Sequence, residues 1–222
     1  VAIIAMLICA AFGTVTGIFI AYLNVPPFIA TLAMMEIVYG IGLIVTNATP
    51  LGGYVEAYTN VANKKFLGIN YLIWIAIIVA AITWFIFNMT RHGKYMYAIG
   101  GNPQAAEVAG VPVKATMILI YMKAAAMYGL AGFMLGAKAG GASVNLGYGY
   151  EMEAIAACTI GGVSVTGGRG KVSSAIIGVA VFELLKAALQ YLGVDANAQY
   201  IAIGIVIFVA ISLDIRKYVA KK

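Results

Sequence analysis

The first thirty-five residues, Val1 to Met35, contain no Asp, Glu, Lys or Arg. At about 1.5 Å of rise per residue, some twenty apolar residues in a helix cross the roughly 30 Å of hydrocarbon in a bilayer. Charge-free stretches return at 66–90 and 196–213. Across the 222 residues, 63% are hydrophobic, 10% are charged and the mean hydropathy is +0.97, far outside the range of soluble domains. The expected fold class is therefore all-α, a polytopic transmembrane helical bundle that occupies 1–222 as one membrane domain and leaves no room for a separate soluble one.

The hydropathy pattern predicts seven crossings, at 1–23, 28–47, 70–89, 115–137, 153–168, 172–192 and 198–214. The fifth is short for a spanning helix and reads as a broken or re-entrant segment buried among neighbours. An odd number puts the two ends on opposite sides. Arg91, Lys94, Lys114, Arg169, Lys171, Arg216, Lys217, Lys221 and Lys222 fall on one side, against Lys64, Lys65 and Lys138 on the other. By the positive-inside rule the richer side, with the C-terminus, is cytoplasmic. The chain opens at Val1 inside an apolar run, with no initiator Met, basic n-region or cleavage site, which suggests that its first few helices are missing.

The net charge of +6 does not indicate nucleic acid, because the basic residues are scattered in short clusters between apolar runs. Cys9 and Cys158 lie in apolar runs and behave as small hydrophobes, so neither a disulfide nor a metal site is expected.

The stretch IGGVSVTGGRGKVS at 160–173 invites comparison with a phosphate-binding loop. A Walker A loop places Gly five residues before its Gly-Lys pair and Ser or Thr after it. Here Val165 and Val172 occupy those positions. The dinucleotide fingerprint fails too, with Ser173 in place of the third glycine. The stretch reads instead as a tight turn between membrane segments, with Arg169 and Lys171 at the headgroups. The chain is expected to bind no cofactor.

Between the third and fourth crossings, YAIGGNPQAAEVAGVPV at 97–113 is too polar to span. Asn102 can cap a helix, Pro103 suits its first position, Gly110 can end it and Pro112 blocks continuation. The expected product is a helix of about two turns at 102–109, with small Ala105, Ala106 and Ala109 offering a smooth surface. It serves either as a docking element or as a plain connection.

The segment resembles the cytoplasmic coupling loop of ABC importer permeases, in the carbohydrate-uptake branch that includes ribose and galactose/methyl-galactoside permeases. The family pattern G-G-N-x-x-A-A-x-x-x-G-[VI] is matched by Gly100, Gly101, Asn102, Ala105, Ala106, Gly110 and Val111. AYLNVPPFIATLAMMEIVYGI at 21–41, NLGYGYEMEAIAACTIGGVSVTGGRGKV at 145–172 and the tail DIRKYVAKK are similar to that branch as well. The resemblance implies a permease subunit in a bacterial inner membrane, paired with a second copy of itself as a homodimer. It further implies an ABC ATPase on the cytoplasmic side, holding ATP and magnesium, and a sugar-binding protein outside. Gly101, Asn102, Pro103, Gln104, Ala105, Ala106, Glu107 and Gly110 become the ATPase-coupling candidates.

Ionisable groups at hydrocarbon depth are functional candidates by default. Glu183 and Lys186, three residues apart, share a helix face and are expected to neutralise each other. Lys123 lies nine residues, or about 13 Å, beyond Lys114 and needs a carboxylate or water, with Glu36 one candidate. Glu151 and Glu153 open the short fifth segment, where carboxylates favour the positive helix end. With Glu36, Asn145, Tyr148 and Tyr150 they form the candidate translocation path for a polar, uncharged sugar. Gly129, Gly132 and Gly136 read as helix-contact points. The alternatives are an ion-coupled carrier or channel using Glu36 and Lys123, and an ABC permease for nucleosides or branched-chain amino acids. An intramembrane enzyme lacks candidate catalytic groups, since His92 is the one histidine and lies beside Arg91.

Overall fold

The computed structural model describes residues 1–219. Its helices are α1 (Ala2–Leu23), α2 (Pro27–Thr46), α3 (Glu56–Asn63), α4 (Tyr71–Met89), α5 (Arg91–Gly101), α6 (Pro103–Val108), α7 (Val113–Ala139), α8 (Tyr150–Ile160), α9 (Val172–Tyr191) and α10 (Ala196–Val219). A two-residue antiparallel hairpin, β1 (Lys65–Phe66) and β2 (Ile69–Asn70), precedes α4. The basic tail residues Lys221 and Lys222 lie outside the described residues. The chain divides into two compact units, one of Val1–Ile82 with Ala109–Tyr148, the other of Thr83–Val108 with the chain from Gly149 onward.

In the first unit α1 packs along α7. The buried residues of α1 are Gly13, Thr16, Gly17, Ile20 and Ala21, which recur at helical spacing and, apart from Ile20, are small. Lipid is as apolar as leucine, so close approach rather than hydrophobicity marks the packed face. A Cβ on Gly17 would stand 2.8 Å from the Ile118 Cα, and one on Gly129 would stand 2.7 Å from the Ala5 carbonyl oxygen. Of the three glycines expected to make contacts on α7, Gly129 meets α1 and Gly136 receives the Tyr58 hydroxyl, whereas Gly132 faces open space.

The connection between α2 and α4 is more ordered than its polar sequence suggests. α3 lies against α7 through Tyr58, whose hydroxyl donates to the Phe133 carbonyl (2.8 Å) while its ring meets Phe133 edge-on. Burial, with Tyr54 adding to it, raises the Tyr58 phenol above its ordinary pKa. Leu51 and Ala142 exchange both backbone hydrogen bonds, joining the loops that follow α2 and α7. Asn24 and Asn47 end α1 and α2 in the left-handed conformation, and Pro27 starts α2. In the apolar spans, Thr14, Thr16 and Thr46 return their hydroxyls to carbonyls four residues back.

The second unit has its core where α8, α9 and α10 meet, at Ala156, Ala157, Phe182 and Ile203, with Ile160 and Ile207 against it. Among the described residues, five helices are long and apolar enough to cross a membrane: α1, α2, α4, α7 and α9. α10 carries a shorter apolar stretch, Asn197–Ser212. The crossing expected at 153–168 is not a spanning helix. α8 stops at Ile160 after 11 residues, and glycine-rich backbone follows as far as Lys171. The seven expected crossings are thus five full-length spans, one shorter apolar helix and one discontinuous segment. Large apolar residues such as Ile3, Leu7, Ile78, Phe85, Ile177 and Leu184 point outward, as a lipid-facing surface requires.

Candidate functional site

The segment expected to dock a partner is a corner made by two helices, α5 and α6. Thr90 caps α5, its hydroxyl accepting from the Gly93 amide (3.2 Å) and donating to the Ile86 carbonyl (2.6 Å). Gly93 is buried against the Ile86 and Phe87 carbonyls, where a side chain would collide. At Asn102 the backbone becomes extended. Its side-chain oxygen accepts from the Ala105 amide (3.0 Å) and its carbonyl from the Ala106 amide (3.0 Å), so Asn102 caps α6 as the sequence predicts. Ala106 is buried, while Gly101, Pro103, Gln104, Ala105, Glu107 and Val108 are exposed, Val108 at 91%. Gly110 carries the positive φ of 81° that ends the segment, and Pro112 precedes α7. Sequence reasoning missed α5. Its signal is the Thr90 cap, obscured by Gly93, Gly100 and Gly101 in an otherwise loop-like composition.

The glycine stretch is a tight turn. Gly162, Gly167, Gly168 and Gly170 all have positive φ, and the Ser164 amide donates to the Arg169 carbonyl (3.1 Å). The turn sits on the end of α5. A Cβ on Gly168 would lie 2.6 Å from the Gly101 amide nitrogen and 2.8 Å from the Gly100 carbonyl carbon, and the Tyr97 hydroxyl donates to the Gly170 carbonyl (2.8 Å). Gly178 of α9 lies flush against the Gly161 backbone at the end of α8.

The candidate path residues divide between the units. In the first, Glu36 is exposed on α2 and Asn145 accepts a hydrogen bond from Tyr39 (3.2 Å). Tyr148 is exposed. Lys123 is half-buried on α7, and among the described residues neither it nor Glu36 makes an ion pair. The pairing considered for them does not form. Lys114 instead stands over the Tyr22 ring, 5.1 Å from its centroid.

In the second unit Tyr150, Glu151 and Glu153 form the first turn of α8. Lys186 donates to Glu153 at 2.8 Å, whereas the predicted partner Glu183 stands 3.9 Å away and is more exposed. The shorter ion pair therefore ties α8 to α9, and the expected pair across one turn of α9 forms beside it at the longer distance. Spacing along one helix could not reveal a partner 33 residues away. Among the described residues no three His, Cys, Asp or Glu side chains gather where they could hold a metal ion.

The galactose/methyl galactoside import permease of Escherichia coli is 40% identical to this chain over 233 residues, covering all of this chain and 69% of the relative. The same-named protein of Haemophilus influenzae is 42% identical, covering 96% of this chain and 66% of its own length. The ribose import permease of Escherichia coli is 36% identical, covering 96% and 68%. No solved structure matches the chain. With a family model for the permease component of branched-chain amino acid transport systems matching residues 1–211, the chain belongs to that family of multi-pass membrane permeases.

Proposed function

We propose that the chain is the membrane-spanning subunit of an ATP-driven importer that carries a monosaccharide or small glycoside into the cytoplasm. It is a transport component and not an enzyme. The observation that carries the reading is the likeness to sugar import permeases along essentially the whole chain. In this reading α6 docks on an ABC ATPase, which holds ATP and magnesium. A sugar-binding protein delivers substrate from outside, and a second copy of the permease completes the pathway. The α6 corner, the glycine turn and the C-terminus lie in the cytoplasm. Tyr148, Tyr150, Asn145, Glu151, Glu153 and Glu36 supply hydroxyl, amide, aromatic and carboxylate groups along the path, enough to guide a polar solute without holding it tightly.

The family description favours a second substrate class, branched-chain amino acids. One preparation separates the two. In membranes containing the full transporter, cysteines placed singly at Gln104 and Glu107 are expected to crosslink to the ATPase. Labelled galactosides are expected to accumulate inside vesicles when ATP and the binding protein are supplied. Leucine uptake without galactoside uptake would select the amino-acid reading, and a missing crosslink in a folded complex would reject α6 as the dock.

A further inference from the structure

Within the second unit an unbroken set of contacts runs from the coupling helix to the opposite end of α8. α6 begins two residues after Gly101, where α5 ends on the glycine turn. There the Gly100 and Gly168 backbones touch so closely that a Cβ on either would overlap the other strand of chain. Tyr97, one turn earlier on α5, closes the contact by donating to the Gly170 carbonyl, and the edge of Phe87 steadies its ring at 5.8 Å between centroids. From the turn the contact passes to α8, whose C-terminal capping residue Gly161 lies on Ser174 and Gly178 of α9. Ala157 and Phe182 fill the core behind it. At the other end of α8, Glu153 holds Lys186.

Loops joined through long side chains can slide past each other by changing rotamers. Two main chains in van der Waals contact, pinned by a tyrosine hydrogen bond, have few alternative arrangements, because close-packed interfaces are not continuously deformable. We propose that Tyr97 and the Gly100–Gly168 contact form a clasp that makes α5 and the glycine turn move as one piece, so that displacement of α6 reaches α8 instead of being absorbed in the connection. Tyr97 is a positioning residue in this scheme. The inference rests on the reading of α6 as the ATPase dock.

The test uses the complete transporter, with its ATPase and binding protein, in proteoliposomes, and reads sugar molecules imported per ATP hydrolysed. Tyr97→Phe keeps the ring and its contact with Phe87 and removes only the hydroxyl. The import-to-hydrolysis ratio is expected to fall about threefold to tenfold, the range given by loss of one ordinary hydrogen bond, with the Gln104→Cys crosslink unchanged. Gly168→Ala, which forces the backbones apart, is expected to lower the ratio further. Tyr97→Phe alone decides the matter if that variant does not fold. An intact crosslink with an unchanged ratio in Tyr97→Phe would overturn the clasp, as would a lower yield of complex at an unchanged ratio. Absence of the crosslink before Tyr97 is altered would overturn the docking reading and the clasp with it.

Discussion

Lys186 is a cation on an apolar helix, and its environment answers that cost with two carboxylates within 4 Å and the Phe182 ring at 5.9 Å from its ammonium. Its side chain and that of Glu153 are 27% and 21% exposed, between the surface pairs that contribute little and the buried pairs whose breakage is severe. Lys186→Met is therefore expected to destabilise the protein by about 1–2 kcal/mol, and Lys186→Arg by less. Adding Glu153→Gln to Lys186→Met should cost less than the sum of the two single changes, because the carboxylate has already lost its partner. Thermal unfolding of the four proteins in detergent checks this, and strict additivity would show that the pair contributes nothing. Spacing along α9 picked out Lys186 and Glu183 correctly but missed the nearer Glu153, since a helix-face argument sees only neighbours on the same helix.

At the scale of elements, the packing of α1 on α7 rests on glycine. Replacing Gly13 by Val would drive a side chain into Ala125 and the Tyr121 carbonyl, both on α7. Overpacking of this kind costs about 1–3 kcal/mol, and the melting temperature should fall accordingly. Gly132→Ala, by contrast, should not lower it and should raise it slightly, because nothing lies within 4 Å of the position a Cβ would take and a glycine inside a helix is less favourable than alanine. The long spans were legible because about twenty uncharged residues have few other places to go. Which face of each span packs was not legible. In a helix apolar all round, the small residues that allow close approach look the same whether they meet a neighbour or lipid, and Gly17 and Gly132 differ only in what stands opposite. The Asn102 cap of α6 was readable because a cap is local chemistry. The α3 helix and the Lys65–Asn70 hairpin were not, since Tyr58 reaches 75 residues along the chain for its hydrogen bond.

For the molecule as a whole, the distribution of basic residues makes a claim about sides. Arg91, Lys94, Arg169 and Lys171 flank the α6 corner and the glycine turn, and Lys64 and Lys65 lie at the hairpin before α4. In intact cells a membrane-impermeant thiol reagent should label Lys65→Cys, in a background lacking Cys9 and Cys158, and should reach Lys94→Cys only after permeabilisation. The reverse pattern would turn the protein over in the membrane and put α6 beyond the reach of any cytoplasmic ATPase. The contact of Gly100 with Gly168 also bears on how such a protein can diversify. Main chain touching main chain leaves no side chain there to exchange, so under the proposed function descendants would acquire new cargo by altering the candidate path residues while keeping this contact unchanged.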